Sequence, residues 1–171
     1  MNKTMILAIG GAGCNMAETI MREASAHWVS EASYLFADSD QSRLAELSRK
    51  GYRTVDLTKT VVSKEDLNGL EKLYVLAGLG GKTGSGYITD AISIAKNSGV
   101  RNLSAIVTIP FYFEGENKVA KAKDVIGTLS GIPSIVLYND DLLKLYADIN
   151  FATAFHYSDI SALKAIESGV I

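Results

Sequence analysis

The chain has 171 residues, 47% hydrophobic and 21% charged, with a formal net charge of −2. That fits one globular domain over residues 1–171 and argues against a nucleic-acid partner. No stretch is long and apolar enough for membrane insertion, and the lone Cys14 closes no internal disulfide, so a reducing, cytoplasmic setting is expected.

The apolar run Met5 to Ile9 is too short for the apolar core of a signal peptide and reads as a buried first strand. A helix is expected from Asn15 to His27, a strand over Tyr34–Ala37 and a helix over Gln41–Arg49. Tyr52–Leu57 reads as a weaker strand, and Glu65–Leu70 as one or two helical turns. The strand Leu73–Ala77 precedes a helix from Gly86 to Asn97, and Leu103–Ile109 is a strand stopped by Pro110. Asn117–Leu129 is helical, Ile135–Tyr138 a strand and Asp140–Tyr146 a short helix. A longer helix runs from Thr153 to about Ser168, with an apolar stripe of Ile160, Leu163, Ile166 and Ile171 left for a partner.

Strands that are apolar throughout are covered on both faces, and the intervening helices supply the cover. The expected fold is α/β and three-layered: a mostly parallel, Rossmann-like sheet with helices on both faces. In such a sheet ligands bind beyond the carboxyl ends of the strands. The chemically suggestive residues sit there: Gly10 to Asn15, Asp38 to Asp40, Gly78 to Gly86, Pro110 to Lys118, and Asn139-Asp140.

Two of these segments are rich in glycine. A Walker loop requires glycine five residues before Gly81, where Leu76 stands, so that reading fails on spacing. The dinucleotide fingerprint G-x-G-x-x-G, started at Gly11, lacks its last glycine because Met16 occupies the place. Asp38 and Asp40 keep a dehydrogenase open as a rival, although nothing supplies its catalytic residues. Two glycine turns in one sheet suit a polyphosphate, since each lets backbone N–H groups approach an anion at a helix start.

The ordered motifs resemble the tubulin/FtsZ family. Gly80-Gly-Lys-Thr-Gly-Ser-Gly86 is similar to G-G-G-T-G-S/T-G, and Gly10-Gly-Ala-Gly-Cys-Asn15 to G-G-G-G-N. Asp38-Ser-Asp40 with Leu44 resembles N-T-D-A-Q-A-L, and Val107 to Lys118 resembles V-V-T-x-P-F-x-F-E-G-x-x-R. Tyr138 to Leu143 is similar to P-N-D-x-L-L, and Ala154 to Asp159 to A-F-x-x-A-D.

The resemblance implies a guanine-nucleotide site for GTP or GDP, with magnesium possible. Gly10, Gly11, Ala12, Gly13 and Asn15 would meet the α- and β-phosphates. Gly80, Gly81, Lys82, Thr83, Gly84, Ser85 and Gly86 would wrap the phosphate tail, with Asp40 near the magnesium end. Glu114 and Lys118 would hold the ribose, and Asn139, Phe155 and Asp159 would frame the guanine. Taken singly, Asp159 would be a helix-dipole partner, Phe155 core, Glu114 and Lys118 a surface ion pair, and Asn139 a cap.

Three departures from the family pattern bear on activity. Lys82 stands where the family has glycine, and a positive φ there would strain it. The segment Thr58–Asp66 is short and lacks the A-G-A-N-P-E loop that meets the γ-phosphate. The acidic loop N-x-D-x-x-D and a second domain do not follow the final helix. The resemblance therefore implies a nucleotide-binding domain that works through protein interaction, with an FtsZ-type protein or itself, and with little or no hydrolysis alone. The alternatives are a piece of a longer polymerising GTPase, or a scaffold that has lost its ligand.

Overall fold

The computed structural model describes residues 3–145 and 150–171. Its strands are β1 (Thr4–Ile9), β2 (Ser33–Asp38), β3 (Thr54–Asp56), β4 (Lys72–Gly78), β5 (Asn102–Ile109) and β6 (Ser134–Tyr138). They form one parallel sheet in the order β3-β2-β1-β4-β5-β6. The helices are α1 (Gly10–Glu23), α2 (His27–Glu31), α3 (Gln41–Arg49), α4 (Lys82–Asn97), α5 (Glu116–Thr128), α6 (Asn139–Leu145) and α7 (Phe151–Ser168).

Strand β1 shows how the layers arise. Met5, Leu7 and Ile9 pack on one side with Ile88 and Ile92 of α4 and Ala122 of α5. Ile6 and Ala8 pack on the other with Met16 and Ile20 of α1 and Ala162 and Ile166 of α7. Period-two alternation thus sends apolar side chains to both faces, giving the three-layer α/β fold.

Helix starts differ from expectation. α1 opens at Gly10 and α4 at Lys82, so Gly10 to Gly13 and Lys82 to Ser85 form the first turns of helices. Glycine is a poor helix former, but tertiary packing overrides propensity here. A Cβ on Gly13 would collide with the Leu76 carbonyl oxygen, and one on Gly84 with the Gly78 carbonyl oxygen. The same close approach lets α1 and α4 lie against β4.

The expected helix to His27 stops at Glu23, and α2 forms separately. Its approach is held by the Glu167 carboxylate of α7, which accepts from the Ser25 N–H at 2.6 Å and the Ala26 N–H at 2.9 Å. That partner is 141 positions away, beyond any local pattern. Residues 65–70 form linked turns instead of a helix, with Ser63 N–H and Arg53 both on Asp66. The supposed open stripe of α7 is covered: Leu163 and Ile166 are buried, with Ile160 and Ile171 packed at the edge of the same core. The expected short helix reaches Leu145, and its last residue, Tyr146, lies outside the described residues. No helix among the described residues is long and apolar enough to cross a membrane.

Candidate nucleotide site

The strand order turns back between β1 and β4, which lie side by side at the centre of the sheet. A cleft of about 400 Å³ opens at their carboxyl ends, within the usual size of a small-molecule site, roughly 300–1,000 Å³. Each strand feeds directly into a helix whose N-terminus points at this cleft.

What sets those two helix starts apart is that both line this cleft; the short α2, also uncapped and without an acidic first turn, does not. α1 and α4 have no side-chain cap and no acidic residue in their first turns. α3 and α7 are capped, by Asp40 and Asn150. An uncapped first turn leaves N–H groups without protein partners, and its positive end favours an anion. Two such ends aimed into one cleft present backbone N–H groups and positive helix ends together, an arrangement that favours an anion.

Gly10, Gly11, Ala12 and Asn15 line the cleft from α1, and Gly81, Lys82, Thr83 and Gly84 line it from the start of α4. Lys82 is the first residue of α4 and exposed. Among the described residues only glycines have positive φ, so the lysine carries no backbone strain. Gly80 carries the positive φ instead, at 89°. A Cβ on Gly80 would lie 2.7 Å from the Lys118 carbonyl oxygen and 2.8 Å from Pro110. Its N–H donates to the buried Ser85 Oγ at 2.7 Å. Gly13, Gly80 and Ser85 therefore shape the cleft from behind, and Gly86, exposed with open space around it, does neither.

The other end of the cleft is built after β5 and β6. Glu114, Lys118, Asn139, Phe155 and Asp159 all line it. Phe155 is 47% exposed, with its ring edge-on to buried Phe111 at 5.7 Å, so it is not a core side chain. Asn139 is buried and accepts from Ser158 Oγ at 3.4 Å. Glu114 turns its carboxylate onto the Phe111 N–H at 2.8 Å, closing the 3-10 turn Tyr112–Glu114. Asp159 accepts from Thr19 Oγ1 of α1 at 3.2 Å. Burial pushes the Asp159 carboxyl up to about 6, against the opposing pull of the Thr19 hydrogen bond.

Asp40 lies outside this cleft. It lines an adjoining open depression of about 450 Å³ with Asp38, Ser39, Arg43, Gly11, Asn15 and Thr83. Ser39 Oγ and Thr83 Oγ1 are 2.7 Å apart across it. Asp40 Oδ1 accepts from the Ser42 and Arg43 N–H groups at 2.9 and 3.2 Å, and Asp38 Oδ1 takes the Ser39 N–H at 2.7 Å. Residues 58–70 contribute nothing to either surface.

Several lining residues were not named as candidates. Leu79, Thr108 and Ser158 lie inside the quoted segments and line the cleft beside the named residues. Arg43 of α3 reaches the depression, with Nη2 2.6 Å from Asn15 Oδ1 and 2.7 Å from Glu18 Oε2. Its partners lie 28 and 25 positions away, so no sequence window contains the cluster.

No protein-family model matches the chain. The cell division protein FtsZ of Mycoplasmopsis pulmonis is 26% identical over 175 residues, covering 90% of this chain and 44% of that protein. FtsZ of Wigglesworthia glossinidia brevipalpis is 30% identical over 163 residues, covering 82% of this chain and 41% of its own length. The chain thus spans less than half the length of these curated relatives. Among solved structures, an empty FtsZ dimer from M. jannaschii superposes with a TM-score of 0.75 at 20% identity, over 99% of this chain and 55% of that one. A GTPγS-bound protofilament of CetZ2 from Haloferax volcanii gives 0.74 at 17% identity, over 98% and 58%. The sheet order, the paired glycine-opened helices and these relatives agree: the chain belongs to the tubulin/FtsZ family.

Proposed function

We propose that residues 1–171 act as one nucleotide-binding domain that takes up GTP or GDP in the cleft between β1 and β4. The observation that carries this reading is the pair of uncapped helix N-termini, α1 and α4, opening into one cleft without an acidic residue in either first turn. They receive the phosphates, assisted by Lys82. Lys118, Glu114, Asn139, Phe155 and Asp159 then take the nucleoside. An ionised Asp159 accepts from guanine N1–H and the 2-amino group, donors that adenine does not present together. Phe155 offers an exposed ring face for stacking.

The depression beside Thr83 suits magnesium. Asp38, Asp40, Ser39 and Thr83 present hard oxygen donors there, the ligand class that this ion takes. Each carboxylate spends one oxygen on backbone N–H groups, which leaves the other for a cation. The acids that line the cleft itself, Glu114 and Asp159, are taken up by the nucleoside in this reading and leave none to orient an attacking water, so we read hydrolysis by this stretch alone as weak. The exposed aromatics Tyr112 and Phe113 at the rim suit contact with an FtsZ-type protein or a second copy.

The test is calorimetric titration of nucleotide-free protein with GDP, GTP and ATP, followed by GTP turnover. Guanine-selective binding is expected; equal binding of ATP, or none, overturns the reading. Lys82→Ala should weaken both guanine nucleotides about tenfold, as expected for one lost charge-assisted contact. Its melting temperature should stay unchanged, because the side chain is exposed. Sedimentation with and without GTP tests the association.

A further inference from the structure

We infer that Arg43 is a positioning residue that fixes which end of the Asn15 amide meets the phosphates. The inference rests on the nucleotide reading above. An arginine has only donors, so the Asn15 atom 2.6 Å from its Nη2 must be the carbonyl oxygen. That oxygen is held toward α3, leaving the Nδ2 hydrogens as the end available to the cleft that Asn15 lines. A phosphate oxygen accepts and cannot donate. The opposite amide orientation would set a lone pair against it.

Arg43 has a second effect on the same spot. Glu18 follows Asn15 by three residues on α1, so the two side chains share a face. Left alone, its carboxylate would repel an anion at Asn15. Arg43 Nη2 and Lys50 Nζ sit 2.7 and 2.6 Å from Glu18 and neutralise it. Arg43 is itself set in place by Asp40, which caps α3 through the Arg43 N–H. The arginine side chain is only 21% exposed, and its Nε is buried with no partner. That is a cost which a solvent-facing ion pair would avoid.

The experiment is a double-mutant cycle read by calorimetric titration of GDP into the full chain: wild type, Asn15→Ala, Arg43→Ala and the double variant. Each single change should weaken GDP about tenfold, the scale of one charge-assisted hydrogen bond. The double variant should bind no worse than Asn15→Ala. Arg43→Lys, which keeps a donor, should recover part of the loss. Melting temperatures check the fold, and Arg43→Met, keeping the stem without the donors, replaces alanine if that variant does not fold. Losses that multiply in the double variant, or Arg43→Ala binding like wild type, overturn the assignment. An Asn15→Ala variant with normal affinity overturns it while the nucleotide reading stands. A wild type that binds no guanine nucleotide overturns both.

Discussion

Gly84→Ala is expected to cost about 3 kcal/mol or more and to lower the melting temperature by roughly 10 °C. On helix propensity alone the change should stabilise by up to about 1 kcal/mol. Packing reverses the sign. The added Cβ would overlap the Gly78 carbonyl oxygen and lie 3.0 Å from the Gly78 carbonyl carbon. Both are backbone atoms of β4, so no flexible side chain can swing away. Relief requires α4 to lift from the strand that feeds it, which also moves Gly81 to Thr83 at the cleft. Loss of nucleotide binding should therefore accompany the loss of stability. Thermal unfolding with and without GDP measures both.

Two neighbouring glycines separate packing from ligand approach. Gly86 lies on the same helix with nothing within 4 Å of an added Cβ, so Gly86→Ala should be neutral or stabilise by up to about 1 kcal/mol and leave binding intact. Gly11 has equally open space but lines the cleft. Gly11→Ala should keep its melting temperature and lose nucleotide affinity, because the new methyl enters the space that the proposed phosphates take. If all three variants behaved alike, glycine would be serving the chain's flexibility and not these contacts.

What the sequence made legible follows from the range of the interactions involved. The parallel sheet was readable because β1 and β4 are apolar at nearly every position, which is the mark of cover on both faces. α3 was readable to its ends because Asp40 caps it locally. The starts of α1 and α4 were not, since glycine runs read as loops, and only the close approach of Gly13 and Gly84 to carbonyl groups of β4 explains glycine inside these helices. The break before α2 depends on Glu167, far along the chain.

The candidate site divides in the same way. Residues that meet the cleft through helix starts could be named from glycine spacing, whereas Arg43 joins it only through Asn15 and Glu18 on another helix. The motif match included Gly86, yet that residue faces open solvent space. Asp40 lines the adjoining depression with Thr83, and it also caps α3 through the Arg43 backbone N–H.

Asp159→Asn should raise the stability of the nucleotide-free protein at pH 7 while removing its preference for guanine. The carboxyl is pushed up to about 6 chiefly by burial, with Thr19, His156 and Arg22 lowering it and Glu23 raising it. Its ordinary value is 3.8. Between those values the folded chain holds a proton that the unfolded chain releases, so stability falls as pH rises through the window and the cost is complete above it. Asparagine keeps an acceptor for Thr19 Oγ1 and removes the charge. A gain of about 1–2 kcal/mol at pH 7 is expected, discounted for the solvent that still reaches the group. The gain should shrink toward pH 4, where wild-type Asp159 is already neutral. Binding reports the same group with the opposite sign. The two guanine donors require the ionised form, so wild-type affinity for GDP should drop as pH falls below about 6, with proton release on binding in that range. The asparagine variant should bind GDP weakly and without that pH dependence. Chemical unfolding and titration at pH 5 and 7.5 measure both quantities. A variant that is less stable than wild type at pH 7, or that still selects guanine over adenine, would remove Asp159 from the role of base reader.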